Sequence, residues 1–589
     1  MGTISDKLMR IINTKEDIRQ ALISKGYDVP TSIPFKEYAK MILDLPCKVD
    51  SFPDIEGIVA RYSASGLTNE QMAANPVWVD KTGNGHDLQM KNFFWGEMSG
   101  VGGYKLNWGD SNIWRNYITQ GTFGTGEITD NTIHITSAKT NNALFETRAS
   151  LKSVEYKVLI KGLTDDIYLR YGVFNDGKEL WTEIKNDGIY TLPSYDYDSR
   201  YNMKWKVTSQ TYPIDCNITI EQLPLYPCFI LGDGVDDFAV TEKELNFEDT
   251  YTVYTAFIPF QNNPTRNMIL CGADSKKTFS MQYSSLVYVS FIAGNNYYIN
   301  ANFVNGLNLF ACKRNGNNIC IKNLLTNKVV TGTCGDWVEN AGLYYLWKNA
   351  TYASFARAAI AGQTICNGYF STDEDDEKVL DWYKKQYPWL FPDQAWTVTG
   401  KTNEDEDRAT IANITGNGND LVLSNFGFIE GSGYNEEGQY AGYLVTDGVD
   451  DKIASSDFKM GKDFTIVGDW KFIDNKKSGT GLVKGSSFYI YNTMIGLDLY
   501  INSGSVKNSL DGIKSINAAC SDGRAYDRNW NEILANTGNV VGSGGILEVS
   551  SSGGRFDRIA FKNLAIYPRI LSKDDCIKAY NYLQTLKAK

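Results

Sequence analysis

Hydrophobic residues follow a helical period in the first part of the chain. Over residues 1–50 they recur every three to four positions, which is typical of helices with one apolar face. The apolar positions that mark this face are Ile4, Leu8, Ile11, Ile18, Leu22, Phe35 and Tyr38. A helical unit this small buries little surface by itself. We therefore predict that these residues attach the protein to a partner or to further copies of the same chain.

From about residue 55 the period changes to an alternation of apolar and polar residues. Alternating segments occur at residues 58–62, 156–160, 167–171 and 218–220, with Gly, Asn and Asp residues between them. Such alternation is typical of strands that turn one face to a core. Aromatic residues, which favour strands, make up 13% of the chain. The predicted fold class is mainly β, with a small N-terminal helical unit followed by β-sandwiches.

Two motifs occur twice, with different spacings. Residues 82–88 read Thr-Gly-Asn-Gly-His-Asp-Leu, and residues 415–421 read Thr-Gly-Asn-Gly-Asn-Asp-Leu, an offset of 333. Asp-Gly-Val-Asp-Asp occurs at residues 233–237 and again at 447–451, an offset of 214. The two offsets differ by 119, so the first copy holds 119 additional residues between its motifs. This predicts a duplicated β module whose first copy contains an inserted domain.

The length of the chain requires several domains. It has 589 residues, whereas one hydrophobic core stops growing at roughly 250–300 residues. We predict a helical unit at residues 1–50 and a first sandwich at 51–108 plus 229–392. An inserted β-sandwich of the carbohydrate-binding-module type follows at 109–228, and a second sandwich at 393–589.

The second copy has further features of a known family. Phe-Thr-Ile-Val at residues 464–467 and Ala-Ile-Tyr-Pro-Arg-Ile-Leu-Ser at 565–572 follow the Gly/Asn turn and the Asp-Gly-Val-Asp-Asp motif. Together these segments resemble the laminin-G-like branch of the concanavalin A-like lectin/glucanase sandwiches. The resemblance implies two concanavalin A-like sandwiches, the first of which contains the insert.

The N-terminal segment resembles a second group of proteins. Its motifs are Ile-Asn-Thr-Lys-Glu-Asp-Ile-Arg at residues 12–19, Lys-Gly at 25–26 and Phe-Lys-Glu-Tyr-Ala at 35–39. Joined to laminin-G-like modules, this start resembles the head or tail fibre proteins of crAss-like phages that infect gut Bacteroidales. The resemblance implies a structural protein of the virion, preferably on the capsid head. A tail fibre that binds a receptor, a glycan depolymerase and a cellular lectin or adhesin are the alternatives.

The resemblance also implies partners and a location. The N-terminal unit would bind other virion proteins of the capsid or tail, and the chain would form a homo-oligomer, with a trimer favoured because fibres are commonly symmetric. Host glycans are further candidate partners. The first residues lack the apolar segment of a secretory signal, so we expect synthesis in the host bacterial cytoplasm and assembly into the virion.

Charge and composition disfavour several other functions. The net charge is −11 and no cluster of Lys or Arg is present, so we expect no binding to nucleic acid. No apolar run approaches the roughly 18 residues of a membrane span, and we expect no membrane insertion. The ten cysteines form no Cys-x-x-Cys pair and the chain has two histidines. We therefore expect no zinc site and no cofactor.

We also expect no enzymatic activity. Retaining glycosidases need two carboxylates about 5 Å apart, and in the related glucanases a strand carries them as Glu-x-Asp-x-(x)-Glu. No alternating segment of this chain has that pattern. The acidic runs at residues 373–377 and 404–407 are interpreted as a solvated helix start and a polar loop.

Two kinds of binding site remain as candidates. Carboxylates of the repeated acidic motif could hold Ca²⁺, which prefers six to eight oxygen ligands, although Asp and Gly also shape turns without metal, with Val in the core. These weak calcium candidates are Asp233, Asp236, Asp447 and Asp450. Aromatic side chains stack on sugar rings or fill sandwich cores. The candidates for glycan contact are Trp95, Trp108, Trp114, Tyr195, Tyr197 and Tyr201.

Overall fold

Strands are far more common than helices in the described part of the chain, and the predicted mainly-β class is confirmed. The computed structural model describes residues 52–588 apart from short gaps, the longest of which are 148–155, 193–201, 261–267 and 535–542. The predicted helical unit at residues 1–50 lies outside this part. So do its attachment candidates Ile4, Leu8, Ile11, Ile18, Leu22, Phe35 and Tyr38.

The elements form four groups along the chain. The first group is β1 (Ile58–Ser63), α1 (Asn69–Ala74), β2 (Val77–Trp78), β3 (Leu88–Lys91) and β4 (Gly100–Val101). The second is β5 (Trp114–Asn116), β6 (Gly124–Ile128), β7 (Thr132–Ala138), β8 (Phe145–Thr147), β9 (Tyr156–Lys161), β10 (Ile167–Asn175), β11 (Lys178–Ile184), β12 (Gly188–Leu192), β13 (Asn202–Ser209) and β14 (Ile214–Gln222).

The third group is β15 (Ile230–Asp233), β16 (Phe238–Thr241), β17 (Thr250–Pro259), β18 (Met268–Ala273), β19 (Ser280–Tyr283), β20 (Tyr288–Ile292), β21 (Tyr298–Asn302), β22 (Asn308–Asn315), β23 (Asn318–Asn323), β24 (Lys328–Thr333), β25 (Tyr344–Leu346), β26 (Arg357–Asn367) and α2 (Asp373–Gln386). A 3-10 turn, Pro388–Leu390, follows it.

The fourth group is β27 (Gln394–Thr397), β28 (Thr410–Ile411), β29 (Leu421–Ser424), β30 (Gly433–Asn435), β31 (Tyr443–Val445), β32 (Lys452–Met460), β33 (Thr465–Phe472), β34 (Thr480–Gly485), β35 (Phe488–Asn492), β36 (Gly496–Ile501), β37 (Asn508–Asp511), β38 (Ile516–Cys520), β39 (Arg524–Asp527), β40 (Glu532–Leu534), β41 (Ser543–Val549), β42 (Ser551–Ser552), β43 (Arg555–Phe556), β44 (Ile559–Tyr567) and α3 (Lys573–Leu583). Among the described helices, none has the length and apolar character needed to cross a lipid bilayer.

The first and third groups together form module 1, which has two eight-stranded sheets. One sheet has the order β24-β23-β22-β17-β26-β15-β4, with β1 also paired to β26. The other has the order β2-β3-β16-β25-β18-β19-β20-β21. Buried side chains of both sheets share one apolar cluster, in which Val253 and Phe257 of β17 belong with Phe291 of β20 and Leu346 of β25. Module 1 is therefore a sandwich.

The fourth group forms module 2, which repeats this strand order. Its sheets run β40-β39-β38-β33-β44-β31-β30, with β27 paired to β44, and β28-β29-β32-β41-β34-β35-β36-β37. Each strand occupies the place of its counterpart in module 1. Its one addition is the two-stranded ribbon of β42 and β43. The repeated motifs thus belong to two copies of one topology.

The second group of strands is inserted at the tip of a hairpin of module 1. In module 2, β30 and β31 form a hairpin in which Tyr434 pairs with Leu444, ten residues later. In module 1 the equivalent pair is Val101 and Ile230, which are 129 residues apart. The separations differ by 119, the value predicted from the motif offsets. Hairpin tips tolerate such insertions because few contacts cross them.

The insert contains two five-stranded sheets. Their orders are β11-β10-β13-β8-β5 and β12-β9-β14-β7-β6. A separate apolar cluster fills the space between them, and Phe145, Ile160, Trp205 and Ile218 belong to it. The insert therefore has a core of its own.

Helix α3 of module 2 contacts both module 1 and the insert. The Tyr582 hydroxyl accepts a hydrogen bond from the backbone N–H of Leu307 in module 1, at 2.8 Å. The Lys157 ammonium of the insert lies 3.5 Å from the centre of the Tyr580 ring. Gly306 allows Tyr582 to approach module 1, because a Cβ at position 306 would lie 2.5 Å from the Tyr582 hydroxyl. These contacts help to make residues Ile55–Lys589 one compact unit.

Candidate functional site

The Gly-Asn-Gly turn of module 1 is fixed by hydrogen bonds from Asp80, just before the motif, and from the motif itself. Asp80 Oδ1 accepts the backbone N–H groups of Arg61 in β1 and of Thr82 in the turn, both at 3.0 Å. The backbone N–H of Asp80 donates to Asp87 Oδ1 at 2.8 Å. The His86 backbone carbonyl accepts the Tyr62 hydroxyl at 2.5 Å. Asp80 and the polar side chains of the motif therefore hold the turn against β1.

Module 2 has the same network, with an amide in place of a carboxylate. Asn413 Oδ1 accepts the backbone N–H groups of Ala395 in β27 and of Thr415, both at 3.1 Å. The backbone N–H of Asn413 donates to Asp420 Oδ1 at 2.7 Å. The amide nitrogen of Asn413 also donates to the backbone carbonyl of Gly418. The repeated motif is thus structural in both modules.

The Asp-Gly-Val-Asp-Asp turns also use carboxylates to bind their own backbone. Asp233 Oδ1 accepts the Val235 N–H at 2.7 Å, and Asp237 Oδ2 accepts the Asp233 N–H at 2.9 Å. In module 2 the equivalent bonds to Asp447 and Asp451 are each 2.7 Å long.

The valine at the centre of each acidic turn points away from the core. Val235 is 71% exposed and Val449 is 69% exposed. The expectation that this valine fills the core is therefore wrong. The backbone bonds of the turn place its central residue at the tip, where solvent surrounds it.

Each acidic turn brings three carboxylates together. Oxygens of Asp233, Asp236 and Asp237 lie within 4.8 Å of one another, and the equivalent group in module 2 is Asp447, Asp450 and Asp451. The sequence-based candidates had omitted the buried fifth residue of the motif. Burial, with the neighbouring Asp233 and Asp236, raises the pKa of Asp237 to about 7.

A metal ion at these turns would have to compete with protons and with backbone N–H groups for the carboxylate oxygens. In module 2, burial raises the pKa of Asp451 to about 6. Three carboxylates carry six oxygens, the lower limit of the six to eight that Ca²⁺ prefers, and two of the three already accept backbone N–H groups. The cluster fits a cation only in part. Calcium binding stays a prediction, which calorimetric titration with calcium would test.

The three tryptophans proposed for glycan contact are buried. Trp114 stacks on Phe145 with ring centres 4.5 Å apart, and Trp108 meets the same ring edge-on at 6.4 Å. Trp95 stacks on Phe93 at 5.1 Å. These side chains fill the cores of the insert and of module 1, which corrects their assignment as exposed sugar platforms. The other candidates, Tyr195, Tyr197 and Tyr201, lie outside the described residues.

Different apolar side chains are exposed beside the acidic turns. Phe94 is 50% exposed and Ile429 is 64% exposed. The loop of Phe94 is tied to the turn of module 1, because Asn92 Nδ2 donates to the backbone carbonyl of Asp236 at 3.0 Å. Sequence reasoning missed these two residues, since single exposed apolar residues leave no periodic pattern.

Residues 387–393, here called the linking segment, join α2 to β27. A cavity of about 280 Å³ lies where module 1, the linking segment and module 2 meet. Its apolar wall includes Leu307, Leu325, Leu390 and Leu586. Its polar lining consists of Lys384, Asp393, Thr415, Asn417, Arg569 and Tyr582. These residues come from distant segments, so no local motif could have predicted the cavity.

Arg569 is the cation that the cavity encloses most. One of its terminal nitrogens, Nη1, donates to the backbone carbonyl of Lys384 at 2.9 Å. Burial lowers the pKa of the guanidinium below its ordinary value. Within the described part of the chain, Arg569 forms no ion pair. The cavity therefore combines an apolar wall with a partly desolvated positive charge.

Comparison with known proteins gives weak matches. No protein-family model matches the chain, and no curated protein matches it significantly. The botulinum neurotoxin serotype D binding domain is 9% identical with a TM-score of 0.25, and the match covers 59% of this chain and 88% of that domain. The Ca²⁺-bound exoplasmic domain of VIP36 is 6% identical with a TM-score of 0.19, over 24% of this chain and 80% of that one.

A third similar structure is a domain of an arabinanase. It is domain 4 of AbnA, a GH43 extracellular arabinanase from Geobacillus stearothermophilus in complex with arabinotriose. The identity is 14% and the TM-score 0.19, over 26% of this chain and 80% of that domain. At TM-scores this low, none of the three likenesses carries an argument for a shared function.

Proposed function

We propose that this chain is a non-enzymatic structural protein of a bacteriophage virion, a fibre or appendage on the capsid head. Its β-sandwiches bind glycans of the host surface or of mucus. The supporting observation is that the two modules repeat a scaffold. They share a strand order, and equivalent side chains such as Asp80 and Asn413 bind the backbone of equivalent turns. Repetition of this kind is typical of proteins that present surfaces.

The contacts of helix α3 also favour a role in display. Through Tyr580 and Tyr582 this helix contacts the insert and module 1, and the Tyr567 hydroxyl just before it donates to the Trp389 carbonyl at 2.8 Å. Surfaces on these parts therefore keep constant relative positions. Several sites held in this way on one oligomer would together bind a repetitive glycan more tightly than any one site alone.

Purified virions provide the first test. Mass spectrometry should detect the chain in particles, and antibody labelling in electron microscopy should place it on the head. Labelling of the tail would favour the receptor-binding tail fibre instead. Absence of the chain from particles would contradict both assignments.

Attachment through the N-terminal unit is tested with full-length variants. Ile11→Asp and Leu22→Asp each place a charge on the predicted apolar helix face, and we expect the variant chains to be lost from particles. Val329→Asp is the matched control, because Val329 is 51% exposed on β24. Normal incorporation of both N-terminal variants would contradict attachment by this face.

The glycan-binding part is tested separately with the full chain on an array of bacterial and mucin glycans. We expect retention on a subset of glycans and no release of reducing sugar from them. Release of reducing sugar would favour the depolymerase alternative. Failure to retain any glycan would contradict recognition while leaving the structural role open to the virion test.

A further inference from the structure

We propose that the cavity between the modules binds one sugar residue that carries a carboxylate, with Arg569 as the partner of that carboxylate. The inference rests on the proposed glycan recognition and names the class of glycan. It also assigns the site, which lies at the junction of module 1, the linking segment and module 2 rather than on the insert.

The hydrogen bonding of Arg569 points to an anionic ligand. A guanidinium has five N–H donors in a planar fork that matches a carboxylate. The bond to the Lys384 carbonyl uses one nitrogen, and no other described residue forms an ion pair with Arg569. Asp381 acts on this partly buried guanidinium only at a distance. A carboxylate in the cavity would supply a hydrogen-bonded counter-charge.

The scaffold itself does not require arginine at this position. The Thr465 hydroxyl donates to the backbone carbonyl of Arg569 at 2.9 Å, and in module 1 the Thr252 hydroxyl donates to the carbonyl of Tyr369 at 3.1 Å. Position 569 thus corresponds to position 369, where the same backbone carries a tyrosine. The arginine side chain is particular to the module whose end lines the cavity.

Other groups in the lining suit a sugar ring. The Tyr582 hydroxyl accepts the Leu307 N–H at 2.8 Å and keeps its own proton for a ligand oxygen. Asn417 Nδ2 donates to the Asp393 carbonyl at 2.8 Å, which leaves the amide oxygen as an acceptor for a sugar hydroxyl. Leu325 and Leu390 supply an apolar surface for the C–H face of a ring.

The size and charge of the cavity limit the ligand. Its volume of about 280 Å³ is at the low end of the roughly 300–1,000 Å³ of small-molecule sites, so it holds one residue rather than an oligosaccharide. Asp393 also lines the cavity, and its Oδ2 accepts Gln394 Nε2 at 3.1 Å. The lining also holds Lys384, but its ammonium pairs with Asp381 at 3.9 Å, so Arg569 is the lining cation that has no ion pair among the described residues.

Calorimetric titration of the full chain with D-glucuronic acid, N-acetylneuraminic acid, glucose 6-sulfate and glucose tests the inference. We expect binding of at least one carboxylated sugar and much weaker binding of glucose. Arg569→Gln should lower that affinity at least about tenfold, because a hydrogen bond to a charged group is lost. Lys328→Gln, which removes an exposed charge on β24, should leave the affinity unchanged.

A second measurement avoids any effect of the substitution on folding. In wild-type protein with ¹⁵N-labelled arginine, the Nε resonance that is absent from Arg569→Gln should shift as the carboxylated sugar is added. Unchanged affinity in Arg569→Gln, or binding of the sulfated or neutral sugar in preference, would overturn the inference. Retention on the glycan array without binding of any carboxylated sugar would overturn this inference alone. If the array retains the chain on no glycan, both the proposed glycan recognition and this inference are rejected.

Discussion

The two modules join their closing helix to the sheet with different chemistry. In module 1, Asp376 of α2 is buried against the Lys313 ammonium of β22, with N and O atoms 2.8 Å apart. Lys322 of β23 lies 3.0 Å from the same carboxylate oxygen. In module 2, Cys576 of α3 meets Cys520 of β38, and both thiols are fully buried.

Matched contacts show that these pairs occupy equivalent positions. Thr252 in module 1 and Thr465 in module 2 make the same two hydrogen bonds to the backbone just before the closing helix. Each hydroxyl donates to a backbone carbonyl and accepts a backbone N–H two residues later. Thr252 pairs with Lys313 across the sheet, whereas Thr465 pairs with Cys520. The helices begin after Thr372 and Ser572, and four residues beyond these caps lie Asp376 and Cys576.

The difference shows what the scaffold requires at this junction. The junction needs two buried side chains that are partners of each other. An ion pair meets this need in module 1, and two thiols meet it in module 2. The Tyr254 and Ser371 hydroxyls donate to Asp376 Oδ1, at 2.9 Å and 3.2 Å, so both oxygens of the buried acid have partners. The close interaction of the two thiols lowers the pKa of Cys520 and raises the pKa of Cys576. The interpretation of residues 373–377 as a fully solvated face is therefore wrong at Asp376.

Breaking the ion pair should have the largest effect. Asp376→Ala leaves the Lys313 ammonium buried without its partner, so we expect the free energy of unfolding to fall by about 3–5 kcal/mol. Chemical denaturation of the full chain measures this loss. Glu374→Ala, which removes an exposed pair with Lys378 one turn away on the same helix, should cost less than about 1 kcal/mol. Equal losses in the two variants would contradict the assigned role of Asp376.

The turn network offers the next largest contrast. Asn413→Asp replaces an amide donor by a carboxylate oxygen that faces the Gly418 carbonyl, so we expect a loss of about 1–3 kcal/mol. The reverse change, Asp80→Asn, removes the acceptor for the His86 N–H at 3.3 Å and should cost about 1 kcal/mol. Denaturation curves for the two variants give the comparison. A neutral result for both would mean that solvent replaces these bonds.

The thiol pair should be the more tolerant junction. Cys576→Ala removes one buried sulfur and leaves no unpaired charge, so we expect a loss of about 1–2 kcal/mol, well below that of Asp376→Ala. The same denaturation measurement applies. A loss as large as that of the ion-pair variant would show that the thiols contribute more than packing.

The acidic turns should differ in how stability depends on pH. Asp237 has a pKa of about 7 in the folded protein and about 3.9 when unfolded. The folded state therefore binds a proton more tightly, and its free energy of unfolding decreases as pH rises from about 4 to about 7. Asp237→Asn keeps an oxygen for the Asp233 N–H and should remove this decrease.

Asp451→Asn is the matched variant for that prediction. The pKa of Asp451 is about 6 in the folded protein. The pH range over which its titration lowers the free energy of unfolding therefore ends at a lower pH, and the decrease should be smaller. Thermal melts at pH 4.5 and pH 8 distinguish the variants. An unchanged pH profile in Asp237→Asn would show that the carboxyl is not the group that titrates.

The sequence predicted the position of the acidic turns, but it did not predict which of their side chains and which tryptophans are buried. The repeated motifs located both acidic turns, but the buried Asp237 and Asp451 were not among the calcium candidates. Trp108 and Trp114 are sequence-based candidates for sugar contact because they lie in or near loops around the insert. A tryptophan in a loop and a tryptophan in a core have the same local signature, and only packing separates them.

The order of residues alone determined the period of the strands, the duplication and the 119 additional residues of the first copy, because alternation and motif spacing are properties of the chain. Tertiary structure decided which side chains face one another. It paired Lys313 with Asp376 and Cys520 with Cys576, and it gathered Lys384, Asn417, Arg569 and Tyr582 around one cavity. Such contacts join residues far apart in the chain, and burial then sets their chemistry.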